Sequence, residues 1–421
     1  MRIIYGITKD LLKSLAYLLE GIIIALYRNL FIQHMKTMKI TTIAAFVVLL
    51  LAACKKNNDS NATNPDECVT GRSVTDSKII SGRYIIAYNT NLTARMASES
   101  SVSRVSSDVL ARNSISADAI QEVFAGEPGG FVADLSDDQA ARLAADPNVQ
   151  TIEHDRIIKL AGCFTVAEPR LITWNVNRVG YGDGRGKTAW IIDTGIDMDH
   201  PDLNVDTTRS KSFIPGKTPD DENGHGTHVA GIIGGKNNTI GVLGVASGAN
   251  LVSLRVLDET GEGTLSSIVQ ALSYINTNGN AGDVVNMSLG EDTLSSVLTL
   301  QVQNTASRGI YFAIAAGNDA KPANKFSPAN AIGQNIFTIS AIDSLDNFAS
   351  FSNYGNDVVD YAAPGVHILS TFFRNRYAYL SGTSMATPHV AGLLLLKGRS
   401  LNTSGMAKND PDGVPDPIAH Y

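Results

Sequence analysis

Short apolar runs recur through the second half of the chain, and stretches with helical periodicity separate them. The first run, Thr188 to Asp193, ends in a carboxylate, and a helix of small residues is predicted over 225–235. Later runs lie at 251–257, 284–288, 310–316 and 336–341, with predicted helices near 264–277 and 293–308. Continuous apolar runs of this length are typical of parallel strands that are buried on both faces. Their alternation with helices predicts an α/β fold with a doubly wound, mostly parallel sheet.

Polar residues with catalytic potential follow these predicted strands. Asp193, Ser288 and Asn318 all fall at carboxyl ends of strands, where open α/β sheets bind their ligands. Ser384 stands at the start of a further apolar helix, directly after a turn that Gly382 permits. The free N–H groups and positive dipole end of a helix start would stabilise an oxyanion that forms beside Ser384. Serine is also an ordinary N-cap, so this stretch alone leaves both interpretations open.

Three blocks resemble, in the same chain order, the signature motifs of the subtilisin-like serine proteases, the subtilases. The blocks are DTGID at 193–197, HGTHVAG at 225–231 and GTSMATPHVAG at 382–392. The resemblance covers about residues 174–396 and is closest to the proteinase K-like branch. It implies a serine endopeptidase in which Ser384 attacks the substrate, His225 is the general base and Asp193 orients His225. Asn318 is similar to the family residue whose side chain donates to the oxyanion hole.

The same resemblance implies how a substrate binds. Ser288, Leu289 and Gly290 resemble the family's exposed edge segment, which pairs with a peptide strand, and residues 261–263 would form the opposite side of the cleft. Residues 326–329 fall where the family lines its specificity pocket, and they carry no charge. We therefore expect a broad preference for apolar or aromatic residues before the cut.

A structural calcium ion is also implied by the resemblance. Asp202, Asn238 and the carbonyl groups of Ile240 and Val242 match a family calcium loop, and such oxygens suit a hard cation. A plain Asn-Gly turn is the alternative interpretation of this loop. Lys236 departs from the family pattern there, and Asp360 is a weaker candidate for a second site.

Residues 79–160 have the βαββαβ pattern of a small α+β, ferredoxin-like domain. Strands are predicted at 83–88, 119–124, 130–135 and 149–153, with a Ser-rich helix over 92–111. A capping box from Ser136 to Gln139 begins a second helix, and Pro147 marks its end. The domain resembles the inhibitory propeptide of subtilases, which implies that its tail, around residues 154–160, lies in the active-site cleft of the catalytic domain at 161–421. An unrelated small binding domain is the alternative.

The beginning of the chain has the features of an export signal. Lys36 and Lys39 precede an apolar run over 40–52, and the run ends in LAAC, which is similar to the lipobox of bacterial lipoproteins. We predict an upstream segment and lipoprotein-type signal peptide over 1–54, with a lipid on Cys54, and a flexible tether over 55–78. The protein would be a cell-envelope lipoprotein or extracellular after processing. An ordinary signal peptide is the alternative, and export permits a disulfide between Cys68 and Cys163 without establishing it.

Other functions fit the sequence less well. The formal net charge of −7 gives no basic field for nucleic acid. The Asp-Thr-Gly triplet also opens aspartic protease sites, but these need two such carboxylates and the chain has one triplet. No HExxH zinc spacing is present, so His228 and His389 are predicted to be core histidines or histidines that support the residues of the site. About 25 residues without an apolar period follow Leu396, which leaves a weakly active or inactive peptide-binding shell as the alternative function.

Overall fold

The computed structural model describes residues 78–89, 98–159, 165–166 and 172–421. All of these belong to one compact unit that runs from residue 63 to residue 421. The predicted signal peptide, the tether, Cys54, Cys68, Leu160 and Cys163 lie outside the described residues.

The α-helices in this part of the chain are α1 Glu99–Arg112, α2 Asp137–Ala144, α3 Trp174–Val179, α4 His225–Gly234, α5 Leu265–Asn278, α6 Ser296–Ser307 and α7 Thr383–Lys397. The strands in the same ranges are β1 Lys78–Tyr88, β2 Ile120–Phe124, β3 Gly130–Asp134, β4 Val149–Lys159, β5 Thr165–Val166, β6 Gly182–Asp183, β7 Thr188–Asp193, β8 Lys211–Ser212, β9 Ala246–Ser247, β10 Asn250–Arg255, β11 Glu262–Thr264, β12 Val284–Met287, β13 Tyr311–Ala315, β14 Ile336–Ile342, β15 Val359–Pro364, β16 Ile368–Phe372, β17 Arg376–Leu380, β18 Asn402–Met406 and β19 Pro417–His420.

The larger sheet carries the predicted site. Its order among the described strands is β18-β19-β15-β14-β13-β12-β7-β10-β8, and the neighbours from β19 to β8 pair in parallel. Along β7, Ala189 and Ile191 pack into one apolar core, while Trp190 and Ile192 pack into a second core on the opposite face. Helices α4 and α7 cover the first face, and α5 and α6 cover the second. The predicted doubly wound α/β fold is confirmed.

The smaller sheet forms the predicted ferredoxin-like domain. Strands β4, β1, β3 and β2 are neighbours in that order, and they pair antiparallel. The capping box of α2 is present, since Ser136 N donates to Gln139 Oε1 at 2.8 Å and Gln139 N donates to Ser136 Oγ at 3.3 Å. Strand β4 is longer than the predicted strand at 149–153, because its last residues pair with β11 of the larger part.

The end of the chain packs more regularly than its composition indicates. Strand β19 extends the larger sheet, where Ile418 pairs with Ala362 of β15 and is fully buried. Asp416, just before β19, is also buried, and its Oδ2 accepts a hydrogen bond from Ser340 Oγ at 2.6 Å. The sequence left the packing of this segment open, and the structure shows that it forms two strands. Strands this short, with so few apolar residues, have no clear alternation in the sequence.

In the described part of the chain, no helix combines the length and the apolar character needed to span a membrane.

Candidate active site

Asp193 and His225 meet at the carboxyl end of β7. Asp193 is the last residue of β7, His225 is the first residue of α4, and both side chains are buried. His225 Nδ1 donates to Asp193 Oδ1 at 2.8 Å. Because a carboxylate only accepts hydrogen bonds, the ring proton lies on Nδ1 and Nε2 keeps its lone pair. His225 Nε2 is buried and has no hydrogen-bond partner among the described residues, as a proton acceptor awaiting its donor would be.

The turn before His225 is held by Asp221, a residue that sequence reasoning missed. Its carboxylate accepts hydrogen bonds from the backbone N–H groups of Asn223, Gly224 and Thr227, at 2.9, 2.9 and 3.0 Å. Gly224 has φ of +114°, and a Cβ there would lie 2.3 Å from the ring of Phe372. Asp221 thus satisfies the free donors at the start of α4 and orients His225. An aspartate four residues before a predicted helix is the signal that would have identified it.

Ser384 is the second residue of α7, and its backbone carbonyl is unusual within that helix. Pro388 lies four residues later and has no N–H, so Ser384 O loses its normal helical donor. Ser288 Oγ replaces that donor at 2.8 Å, and Ser384 Oγ donates to Ser288 O at 3.1 Å. This reciprocal pair fixes the start of α7 against the segment that follows β12. The Ser384 hydroxyl therefore points at Ser288 O and must reorient before it can donate to His225 Nε2.

Asn318 lies beside the start of α7, in the loop after β13. Its Oδ1 accepts hydrogen bonds from Thr383 N at 2.8 Å and from Thr383 Oγ1 at 3.0 Å. Gly317 has φ of +106°, and a Cβ there would lie 2.3 Å from Asn353 Nδ2. The two bonds to Thr383 fix the plane of the Asn318 amide next to Ser384.

A small pocket adjoins Ser384. Its lining residues are Leu289, Gly290, Ala315, Ala316, Gly317, Phe326, Ser327, Ala329 and Ser384. This set includes two residues of the predicted substrate-binding segment and three of the four residues predicted to line a specificity pocket. None of the lining side chains is charged.

The tail of the smaller domain lies along the other predicted side of the cleft. Residues 157–159 of β4 pair antiparallel with residues 264–262 of β11. Ile158 is buried in the core that contains Leu257, Leu265 and Ile268. The tail therefore binds by strand addition and by one apolar anchor.

Two carboxylates of β4 contact the beginnings of helices in the larger part. Glu153 Oε1 accepts from Ser295 Oγ at 2.6 Å and from Val297 N at 3.0 Å, at the start of α6. Asp155 accepts from Ser266 N at 3.0 Å and from Ser266 Oγ at 2.7 Å, at the start of α5. Negative groups at these positions satisfy free N–H donors and complement the helix dipoles.

The other two histidines of the motif blocks belong to the core. His228 Nε2 donates to the carbonyl oxygens of Ile368 and Ala378, both at 3.0 Å, and burial lowers the pKa of His228 to about 3. His389 Nδ1 donates to Met385 O and its Nε2 accepts from Asn175 Nδ2, both at 2.8 Å. Burial lowers the pKa of His389 to about 4, so both rings are neutral at neutral pH.

The predicted calcium ligands lie in one loop, but hydrogen bonds join them. Asp202 Oδ1 accepts from Asn238 Nδ2 and Asp202 Oδ2 accepts from Val242 N, both at 2.8 Å. Asn238 Oδ1, the atom predicted to bind the ion, accepts from Ile240 N at 2.8 Å instead. The donor set has the oxygens that calcium takes, but an ion at Asp202 requires the Asn238 amide to turn. The described residues contain no cluster of three or more His, Cys, Asp or Glu side chains arranged to hold a metal, and Asp360 is exposed.

Comparisons with known proteins agree with this geometry. Residues 184–404 match the model of the Subtilase family, and residues 83–161 match that of Peptidase inhibitor I9. The Thermostable alkaline protease of Halalkalibacterium halodurans is 40% identical over 266 residues, which cover 63% of this chain and 71% of the relative. Subtilisin-like protease 2 of Pseudogymnoascus destructans is 37% identical over 279 residues, which cover 63% of this chain and 67% of that protein. The crystal structure of a cold adapted subtilisin-like serine proteinase matches with a TM-score of 0.53 and 34% identity, over 60% of this chain and 98% of the other.

Proposed function

Because the chain belongs to the subtilase family of serine proteases and carries an inhibitory propeptide domain, we propose that it is an exported serine endopeptidase with an Asp193, His225 and Ser384 triad. The triad is supported by the buried hydrogen bond between Asp193 and His225, since within the described ranges His225 Nε2 then has no partner. That nitrogen is the proton acceptor that a serine nucleophile requires.

The proposed reaction begins when the Ser384 hydroxyl rotates from Ser288 O towards His225. His225 Nε2 takes the hydroxyl proton as Ser384 Oγ attacks the scissile carbonyl carbon, and it later gives that proton to the leaving amine. Asp193 holds the Nδ1–H tautomer and stabilises the imidazolium that forms. Water then hydrolyses the acyl-enzyme by the same route in reverse.

The negative oxygen of the tetrahedral intermediate needs preorganised donors. We assign these to the side-chain amide of Asn318 and the backbone N–H of Ser384. Support comes from the position of Ser384 in the first turn of α7, where N–H groups have no helical acceptor, and from the fixed Asn318 amide.

Substrates are proposed to bind as a strand between Ser288–Gly290 and residues 261–263, as β4 does on the latter side. The pocket beside Ser384 has apolar and small lining residues, which supports a broad preference for apolar or aromatic side chains before the cut. The tail of the propeptide would block this cleft until the chain is cut near residues 160–170.

Export and anchoring form a further part of the proposal, with a lipid on Cys54 and release or retention after processing. It rests on the apolar run and the LAAC sequence.

A calcium ion at Asp202 is proposed to stabilise the folded state, with Asn238, Ile240 and Val242 as the other ligands. The oxygen-rich donor set supports it.

The decisive test is the Ser384→Ala variant of the full chain. We expect loss of casein hydrolysis, loss of labelling by a fluorophosphonate probe, and accumulation of the uncut precursor, because the nucleophile is gone. Ser307→Ala, which changes an exposed serine on α6, should behave as the unaltered protein does.

Two outcomes would contradict the proposal. Casein hydrolysis that persists in Ser384→Ala would place the nucleophile elsewhere. An unaltered protein that folds but neither hydrolyses casein nor reacts with the probe would be an inactive peptide-binding shell.

A further inference from the structure

A buried ion pair joins the propeptide tail to the cleft. Arg156 Nε lies 2.9 Å from Glu291 Oε2, and Arg156 Nη2 lies 3.3 Å from Glu291 Oε1. Both residues are buried, at 7% and 2% exposure. Two parallel N–H···O bonds match the planar guanidinium to the carboxylate and fix its orientation. The triad makes no use of either residue.

The Glu291 side of the pair is rigid. Glu291 directly follows Gly290 of the predicted substrate-binding segment, and it forms a two-way backbone bridge with Ser327. The two bridging N···O distances are 2.8 and 3.1 Å. Gly290 and Ser327 line the pocket that adjoins Ser384, so the backbone of Glu291 is fixed beside that pocket by contacts that do not involve the propeptide.

The Arg156 side of the pair belongs to the strand that lies in the cleft. Arg156 is two residues before Ile158, and side chains two apart on a strand point to the same face. Both side chains are buried against the larger part, whereas Ile157 between them is partly exposed. A ligand strand in this register therefore presents a guanidinium to Glu291 and an apolar side chain to the pocket of Ile158.

Arg156 offsets part of the cost of burying the Glu291 carboxylate. Burial raises the pKa of Glu291 to about 7, and the positive charge of Arg156 opposes that rise. Departure of the propeptide removes both hydrogen bonds from Arg156, and water replaces them at the Glu291 carboxylate. Another strand with arginine at the same position would restore both hydrogen bonds.

We propose that Glu291 is a specificity-determining residue, which binds an arginine located two positions before the apolar residue that fills the Ile158 pocket. This rests on the proposed endopeptidase function. The enzyme would then select for arginine at this position, in addition to an apolar or aromatic residue directly before the cut.

The test uses processed enzyme obtained from the full chain and a synthetic peptide with the sequence of residues 153–166, in which serine replaces Cys163. The inhibition constant of the peptide against initial casein hydrolysis reports binding whether or not the peptide is itself cut. A second peptide carries citrulline, a neutral side chain of nearly the same shape, in place of Arg156. A third peptide carries Lys159→Ala, which removes one positive charge at a position other than Arg156.

Citrulline is expected to weaken inhibition of the unaltered enzyme by about tenfold or more, because charge-assisted hydrogen bonds are lost. In Glu291→Gln the difference between the arginine and citrulline peptides should largely disappear. Glu222→Gln, which removes an exposed carboxylate that pairs with Lys217 and Arg255, should keep the full difference. The inhibition constant of the Lys159→Ala peptide, divided by that of the arginine peptide, should be the same for the unaltered enzyme, Glu291→Gln and Glu222→Gln.

Equal inhibition by the arginine and citrulline peptides would overturn the role of Glu291. An undiminished difference in Glu291→Gln, or failure of the arginine peptide to compete with casein, would overturn it as well. These results leave casein hydrolysis by the unaltered enzyme intact, so they are distinct from failure of the proposed function, in which no hydrolysis dependent on Ser384 is seen.

Discussion

Pro388 has no N–H group, so the carbonyl oxygen of Ser384 in α7 lacks its usual helical donor. Pro388 thereby determines how Ser384 is held. The hydroxyl of Ser288 fills the gap, and the Ser384 hydroxyl returns a bond to Ser288 O. The backbone of this proposed nucleophile is thus fixed, and only its hydroxyl has to rotate before it can act. Rotation exchanges one hydrogen bond for another, with His225 Nε2 as the new acceptor.

Asn318 provides a prediction at the same scale. Asn318→Ala should lower kcat by about 10²–10³-fold, the magnitude known for loss of one such donor in subtilisin, because the oxyanion loses a preorganised amide. KM should change little, since the interaction forms mainly in the transition state. Steady-state kinetics on a peptide anilide measures both constants.

Thr383→Val is the matched control for that variant. It removes one hydroxyl bond to Asn318 Oδ1 but leaves the amide and the bond from Thr383 N, so a much smaller loss in kcat is expected. An Asn318→Ala enzyme with unchanged kcat would show that the oxyanion is stabilised by other groups.

Strand β4 connects the propeptide to the larger part through charges as well as through backbone pairing. Its carboxylates Glu153 and Asp155 lie at the beginnings of α6 and α5, and Arg156 between the helices pairs with Glu291. One strand thus satisfies donors on two helices whose N-termini would otherwise bond to water.

From these contacts at the helix beginnings, which we call caps, we predict that Asp155→Ala weakens the binding of the propeptide to the larger part. In the Ser384→Ala precursor, which is not expected to process itself, the melting temperature should fall, because a cap contributes about 0.5–2 kcal/mol. In the active chain the same change should bring forward the appearance of casein hydrolysis. Differential scanning calorimetry of the precursor measures the first effect.

Asp134→Ala is the control for the loss of a propeptide carboxylate. Asp134 pairs with Arg83 at the surface of the smaller domain, and such exposed pairs contribute little. If Asp155→Ala and Asp134→Ala precursors melted at the same temperature as the parent, the cap would have no role in holding the propeptide.

The stability of the whole molecule tests the calcium proposal. An ion that binds only the folded loop stabilises the protein by mass action, by about 2.7 kcal/mol when its concentration is 100 times the dissociation constant. EDTA should therefore lower the melting temperature of the Ser384→Ala precursor, and excess calcium should restore it. Asp202→Asn should abolish this response, since it removes the charge that attracts the ion and preserves the shape of the side chain.

Asp360→Asn is the comparison for that measurement and should retain the response. A melting temperature that is the same in EDTA and in calcium would rule out the ion at Asp202. The loop would then be a turn held by the observed hydrogen bonds to Asp202 alone.

Local features of the sequence were enough to predict most of the fold. The strand at 188–193, the capping box at Ser136 and the helix that begins at His225 each depend on neighbours in the chain, so their patterns are visible without a structure. The family motifs likewise identified Asp193, His225, Asn318 and Ser384, and the structure places all four around the ends of β7, β13 and α7. Their catalytic roles remain predictions.

Only the tertiary structure decided the contacts between groups that are far apart in the chain. The donor that replaces the missing N–H of Pro388 comes from 96 residues before Ser384, and Arg156 and Glu291 are 135 residues apart. In both pairs, no local sequence pattern identifies the partner residue. The two groups meet only when the whole sheet and its helices are packed. The same is true of β19, whose few apolar residues become a strand because an edge of the sheet is available to pair with them.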